Sequence, residues 1–483
     1  MLVRGARMTP AVATGTARPG FARSFAGIFI VLVAVRLALV IAFAPEMPYY
    51  DEWDGVIAMM AQPMLAHSLT PAFWLSLDNE HVMLWSKALS WLQLRISDVQ
   101  YDNVPVCEVS QILYAAMAAA LIAGSAMALG RYRRAYVACA LLVVALPYSW
   151  ENIIASWANP YYFLIAFSMA AIVLAARVRG GLGVSCVAAC VVAACVSMGS
   201  GPFAALAVML AFALRHRLGD LSAARALAYG AGVFLVTAAT LAWLPHPARP
   251  ALHLGRLQLV EIAIAGALCM PAAWLLARIA RGRGERIDVV FVCVAAWGAL
   301  QLAAIVLARP EFRLWYPISR YVDVLACLVF ANLACLCRLA LARTWPLFAK
   351  AVLVLGIVVV VAASPIAWHW MTWRAGNENE AALRIARYVQ TGDRSAFAHA
   401  PQEILPYPDR ARLTAWLDAP DVRAILGDRL GTRPAPAAFV AASRRIDATL
   451  ARNATWLLPL ALGSGLLMLA PWWRRERAVR PRF

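Results

Sequence analysis

The sequence predicts an all-α polytopic membrane protein of about twelve transmembrane helices, with a large first external loop and a small external segment before the last helix. Three observations predict it. The 483-residue chain is 63% hydrophobic and only 14% charged, where soluble chains run at about 45–50% apolar and about 25% charged. Apolar runs able to cross about 30 Å of hydrocarbon recur along it. Its basic residues alternate with those runs in the way that sets membrane topology. Soluble, disordered and coiled-coil classes are excluded.

The elements follow in order. A basic tail, 1–23, precedes a transmembrane core over 24–366. Apolar runs lie at 24–44, 106–130, 136–149, 160–176, 184–200 and 202–214, then at 226–244, 258–277, 289–308, 322–341 and 347–366. The third and sixth are short enough to be tilted, broken or re-entrant. The external loop 45–105 separates the first two. A polar segment, 367–453, carries amphipathic patterns at Ala381–Val389 and Ala437–Leu450. The last span, 454–473, ends in the basic tail 474–483. The ten cysteines sit in or beside apolar runs, which argues against a disulfide framework or a thiolate metal site.

Charge supports this order. With the N-terminus inside, every cytoplasmic segment is basic, and together they hold twenty-four of the 44 lysines and arginines. Both termini are then cytoplasmic, as in a multi-pass protein of a bacterial inner membrane. The net charge of +18 is mostly topology and leaves no case for nucleic-acid binding.

The acids are distributed differently. Nine of the 26 lie in or beside the first loop: Glu46, Asp51, Glu52, Asp54, Asp78, Glu80, Asp98, Asp102 and Glu108, opposed only by Lys87 and Arg95. The loop opens with Pro48-Tyr49-Tyr50-Asp51-Glu52-Trp53-Asp54, and Asp78-Asn79-Glu80-His81 follows. A Trp-rich helical stretch, Val82 to Leu94, then lies along the membrane surface. Carboxylates crowded at one interface raise one another's proton affinity, which suits a general base or a cation site. A solvated acidic loop is the plain alternative.

An acidic pair just after the first span, in a large external loop of a many-span chain, resembles the GT-C glycosyltransferases. These include the protein O-mannosyltransferases, the aminoarabinose transferase of lipid A, and relatives using polyprenyl-phosphate sugars. Asp51-Glu52-Trp53, Asn79-Glu80-His81, Trp150-Glu151-Asn152, Ser319-Arg320-Tyr321 and Pro406-Tyr407-Pro408-Asp409 further resemble a group of bacterial membrane proteins of this type. The resemblance implies a GT-C-like fold and an inverting transfer. Sugar passes from a polyprenyl-phosphate carrier to a periplasmic glycan, lipid or protein. Asp51 would be the base, Glu52 would orient it, and Glu80 would complete the catalytic acids. Asp54, Asp78, His81, Glu151, Arg313, Arg320 and Tyr321 would bind substrate.

The chemistry fits those residue types. Transfer passes through an oxocarbenium-like state, so one carboxylate must deprotonate the acceptor hydroxyl. The leaving phosphate needs a cationic clamp rather than a strong acid, and arginine matches phosphate bidentately. Arg309, Arg313 and Arg320 flank one short external loop, and His246, Arg249, His253 and Arg256 lie in another. Glu151 is read equally as a helix-start residue complementing the dipole. Arg36, inside the first span, calls for an acidic partner, with Glu108 and Asp323 as candidates. Gly199-Ser200-Gly201-Pro202 reads as a tight turn. No resident cofactor is expected, though Glu80 and His81 with Asp51 or Asp54 leave a divalent cation open.

Two other classes compete. A transporter or lipid-linked saccharide flippase would place paired charges deep in several spans and repeat one half in the other. A polysaccharide polymerase or ligase without GT-C chemistry would rely on the external arginines instead.

Overall fold

The structure, a computed structural model, describes residues 19–245, 255–309, 313, 318–430 and 436–474. It is 81% helical without a strand among the described residues, the architecture of a polytopic membrane protein. The described residues contain nine helices long and apolar enough to cross a membrane. They number up to ten if the bent pair Arg256–Leu268 and Met270–Ala280 is one span.

Each apolar run of the sequence forms helix. They are α1 (Pro19–Phe43), α3 (Asn103–Ala126), α4 (Arg133–Ala145), α5 (Pro160–Ala175), α6 (Gly181–Cys195) and α7 (Phe203–Arg217). Next come α8 (Ala223–Trp243), α9 (Arg256–Leu268), α10 (Met270–Ala280), α11 (Arg286–Ala308) and α12 (Val322–Leu341). Finally α13 (Pro346–Thr391) precedes α14 (Arg410–Asp418), α15 (Pro420–Leu426) and α16 (Ala438–Arg474). The first loop contributes α2 (Leu84–Ile96).

The number twelve does not carry over directly. The third run is extended by short flanking turns into a 25-residue span, Gly130–Ile154. The fifth and sixth runs fall short instead. Their helices α6 and α7 have 15 residues each, about 22 Å at about 1.5 Å per residue, against the roughly 30 Å of a bilayer core. The first loop packs against the end of α6, beside the turn joining the two. The Leu84 N–H donates to the Val196 carbonyl at 2.9 Å, and the Trp85 indole donates to the Ala193 carbonyl at 3.1 Å.

Helices α11 and α12 are central: 67% and 72% of their most apolar stretches are buried. The corresponding stretches of α13 and α16 are only 11% buried, so their apolar surfaces face lipid. Helix α13 has Trp345 at its start and Trp368, Trp370 and Trp373 about 35–42 Å further on, the separation of two interfacial aromatic belts. It then continues into the polar segment without a break, through Pro365, for 46 residues in all. Helix α16 likewise runs unbroken for 37 residues. The compositional changes at 366/367 and 453/454 thus mark a change of surroundings along a helix.

Beside the membrane core, a second hydrophobic core joins the first loop to the polar segment. Met47, Trp53, Ile57, Met60 and Leu94 meet Ile385, Phe397, Leu413, Leu417 and Ile425. Trp53, fully buried, stacks on Trp416 at 5.6 Å between centroids. Each such side chain contributes about 1.5–3 kcal/mol on burial. The two long polar stretches fold as one body over one end of the bundle.

Candidate active site

Where this body meets the helix ends lies a cavity of about 610 Å³. Asp51, Glu52, Asp78, Glu80 and His81 line it from the first loop. Glu151 and Trp157 enter between α4 and α5, and Arg309, Arg320 and Tyr321 from the facing ends of α11 and α12.

Asp51 and Glu52 are adjacent but do different things. Glu52 is 1% exposed. Its Oε1 accepts from the Ser156 N–H at 2.8 Å, the Ser156 hydroxyl at 2.6 Å and the Trp157 N–H at 3.3 Å. Its Oε2 accepts from the Tyr49 N–H at 2.9 Å and the Tyr101 hydroxyl at 2.8 Å. Burial raises its proton affinity and these donors oppose the rise. A carboxylate so fully engaged anchors the fold and has little capacity left for a substrate proton. Asp51 is open to the cavity, and its carboxylate has no hydrogen bond or ion pair among the described residues. Partial desolvation raises its pKa, the charges of Asp54 and Glu151 add to the rise, and Arg320 and Arg309 oppose it. That is the environment of a poised base.

The chain after Glu52 forms a nine-residue π-helix, Trp53–Ala61. Such widened turns are rare and concentrate at functional sites. Here the indole of Trp157 lies against Gly55, where a β-carbon would overlap the ring.

The second acidic motif is a tight turn. Asp78 and His81 exchange backbone hydrogen bonds at 2.8 and 3.0 Å, and Asn79 takes the left-handed conformation that this needs. The Trp157 indole donates to Asp78 Oδ2. Burial pushes the Asp78 carboxyl up to about 6 against the Trp157 hydrogen bond, with the charge of Asp51 adding to the rise. His81 Nδ1 accepts from the Gly199 N–H at 3.2 Å, so the neutral ring carries its proton on Nε2. Burial also lowers its pKa.

Two arginines face these acids, each with a carboxylate partner. Arg309 Nη2 meets Glu80 Oε2 at 3.0 Å, both side chains 37% exposed. Arg320 Nε lies 3.4 Å from Glu151 Oε2, which also accepts from the Arg320 N–H at 3.0 Å and the Ser319 hydroxyl at 2.8 Å. Below them Asn152 Nδ2 donates to the Arg320 carbonyl at 3.0 Å and to Asp323 Oδ2 at 2.9 Å. Asp323 is the acidic partner of Arg36, at 3.6 Å. Arg36 is fully buried, and it also donates to the Val144 carbonyl at 2.9 Å and to Gln111 Oε1 at 2.6 Å.

Of the ten residues singled out in the sequence, eight line this cavity. Asp54 does not. Its carboxylate is taken by Arg412 Nη2 at 2.5 Å and by the Tyr407 hydroxyl at 2.9 Å, so it joins the loop to the polar segment. Arg313 is not among the described residues that line the cavity. His246, Arg249 and His253 lie outside the described residues. Trp157 and Ser156, which tie the two acidic motifs together, had no signal in the sequence beyond a position between two apolar runs. Among the described residues no group of three or more His, Cys, Asp or Glu is placed to hold a metal ion.

No family model, no curated protein and no solved structure matches the chain.

Proposed function

We propose that the protein is an integral membrane glycosyltransferase of the GT-C type. It would move a sugar from a polyprenyl-phosphate carrier to a periplasmic glycan, lipid or protein acceptor with inversion. The observation that carries this is Asp51: an unpaired carboxylate, raised in proton affinity, in a cavity with Arg309 and Arg320 on its facing walls. Asp51 takes the proton of the acceptor hydroxyl as the new glycosidic bond forms. The bond to the carrier phosphate breaks on the opposite face, and the arginines receive the developing phosphate charge. Glu52 holds the first motif in place. Glu80 and Glu151 keep the arginines oriented until the anion displaces them.

The cavity then faces the periplasm, both termini lie in the cytoplasm, and the protein resides in a bacterial inner membrane. No resident cofactor is invoked. One observation favours transport instead, the buried pair Arg36–Asp323. It lies at the cavity end of the bundle, and hydrogen bonds to neighbouring groups surround it, as suits a support for Asn152 and Arg320. The test is transfer of labelled sugar from a carrier lipid by membranes containing the protein or Asp51→Asn. Loss of transfer with unchanged folded protein is expected, and full transfer by Asp51→Asn would overturn the assignment.

A further inference from the structure

Asp51 is bracketed by two tethers to one stretch of the polar segment. Just before it, the Tyr50 N–H donates to the Pro406 carbonyl at 2.8 Å. One turn after it, Asp54 is held by Arg412 and Tyr407. The Arg412 guanidinium also donates to the Tyr407 hydroxyl at 2.7 Å and lies over the Trp416 ring, 4.6 Å from its centroid. Trp416 in turn stacks on Trp53. The base is therefore mounted on a closed cluster whose positive member comes from a part of the chain that does not line the cavity.

The charges around Asp51 come from several elements. Asp54 lies on its own helix, and Asp78 on the tight turn. Glu151 comes from the entry to α5, Arg309 from the end of α11, and Arg320 from the start of α12. Glu151 is balanced inside the cavity by Arg320, whereas Asp54 is balanced from the polar segment by Arg412. We propose that Arg412 is a positioning residue for Asp51, fixing its place and its charge environment through Asp54. The proposal rests on the transferase reading only for its catalytic meaning, since the coupling itself is a property of the protein's own charges. It also gives the polar segment a role: without it, Asp54 would stand one turn from the base as an uncompensated negative charge.

The test uses the full chain in lipid nanodiscs. Asp51 is modified with a water-soluble carbodiimide and an amine at a series of pH values, and labelling is read by peptide mass spectrometry. The carboxyl passes its proton to the carbodiimide nitrogen and its oxygen adds to the carbodiimide carbon, the amine then displacing a urea, so the labelling midpoint follows protonation of Asp51 without any sugar donor. Arg412→Gln is expected to raise the midpoint by about one pH unit, the effect of one uncompensated neighbouring charge. Arg412→Lys keeps the charge and should stay near wild type. Asp54→Asn should lower the midpoint, and the double variant Asp54→Asn/Arg412→Gln should return it to the wild-type value. An unchanged midpoint in Arg412→Gln, or a double variant that keeps the Arg412→Gln shift, overturns the proposal. If Arg412→Gln does not fold, Asp54→Asn is compared with the double variant, and equal midpoints in the two, which differ only at Arg412, overturn the proposal. Failure of sugar transfer in the wild type would remove the transferase reading and leave this result standing.

Discussion

The indole of Trp157 lies across Gly55 so closely that no β-carbon fits between them. From that seat its ring nitrogen reaches Asp78 while its backbone N–H reaches Glu52. One residue thus sets the spacing of two acidic motifs about 25 positions apart in the chain. Gly55→Ala is expected to push the indole off its seat and to destabilise the protein by about 1–3 kcal/mol, the usual effect of overpacking. Transfer should fall with it. Thermal denaturation in detergent measures the first effect, and an unchanged midpoint would show that Trp157 tolerates displacement.

Neutralising the two neighbouring acids should have opposite signatures. Glu52→Gln places an amide against groups that now donate to a carboxylate, leaving at least one buried donor unmatched. A loss of about 1–3 kcal/mol of stability is expected. Asp51→Asn disturbs no hydrogen bond and should preserve the folded yield while abolishing transfer. Comparing folded yield and specific transfer for the two variants separates these effects, and equal destabilisation by both would contradict them.

Asp78 gives a pH dependence with a definite sign. Its carboxyl rises from an ordinary 3.8 to about 6 in the folded protein. Between those values the folded state holds a proton that the unfolded state has released. Stability is therefore fully present at low pH and is lost as pH rises through about 6, by on the order of 2–3 kcal/mol. Denaturation midpoints of the wild type between pH 4.5 and 7.5, conditions chosen to cover about that window, should fall with pH. The same series for Asp78→Asn should be flatter, and parallel curves would refute the assignment.

Arg320 is paired with Glu151, at 3.4 Å and with 45% of the arginine side chain exposed. A half-exposed pair of this kind is worth up to about 1 kcal/mol. Glu151→Gln should therefore tighten binding of a short-chain prenyl phosphate by roughly threefold to fivefold, and Arg320→Gln should weaken it. Calorimetric titration reads both. Weaker binding in Glu151→Gln would mean that the carboxylate helps hold the ligand.

Much of this was legible in the sequence because it lay in local patterns. The apolar runs became helices, with 258–277 split into the bent pair α9 and α10, and the acids crowded after the first span include several that line the cavity. Asp323 as partner of Arg36 was among the candidates because a charge inside a span demands a counter-charge. What stayed hidden was long-range. Glu52 reads like Asp51 in the sequence, and only the five donors converging from residues 49, 101, 156 and 157 make it structural. Asp54 reads as a third site acid because Arg412 is 358 positions away. The shortness of α7 and the turn at Gly199–Pro202 were legible, but that of α6 was not, since the apolar composition continues to residue 200 while the helix ends at Cys195.

Helix α13 begins at one face of the bilayer, crosses it, and ends inside the polar body without a joint. On the way Arg374, ion-paired to Glu378 at 2.6 Å, lays its guanidinium 3.2 Å from the centroid of Tyr49, a wall of the cavity. The same rod thus both anchors in lipid and backs one residue of the cavity wall. A thicker or thinner bilayer is expected to change the tilt of such a rod, with Pro365 the point inside it where a bend is most readily taken up. The acyl-chain length of the host membrane is then expected to reach the pocket as a mechanical input at Tyr49, two residues before the proposed base.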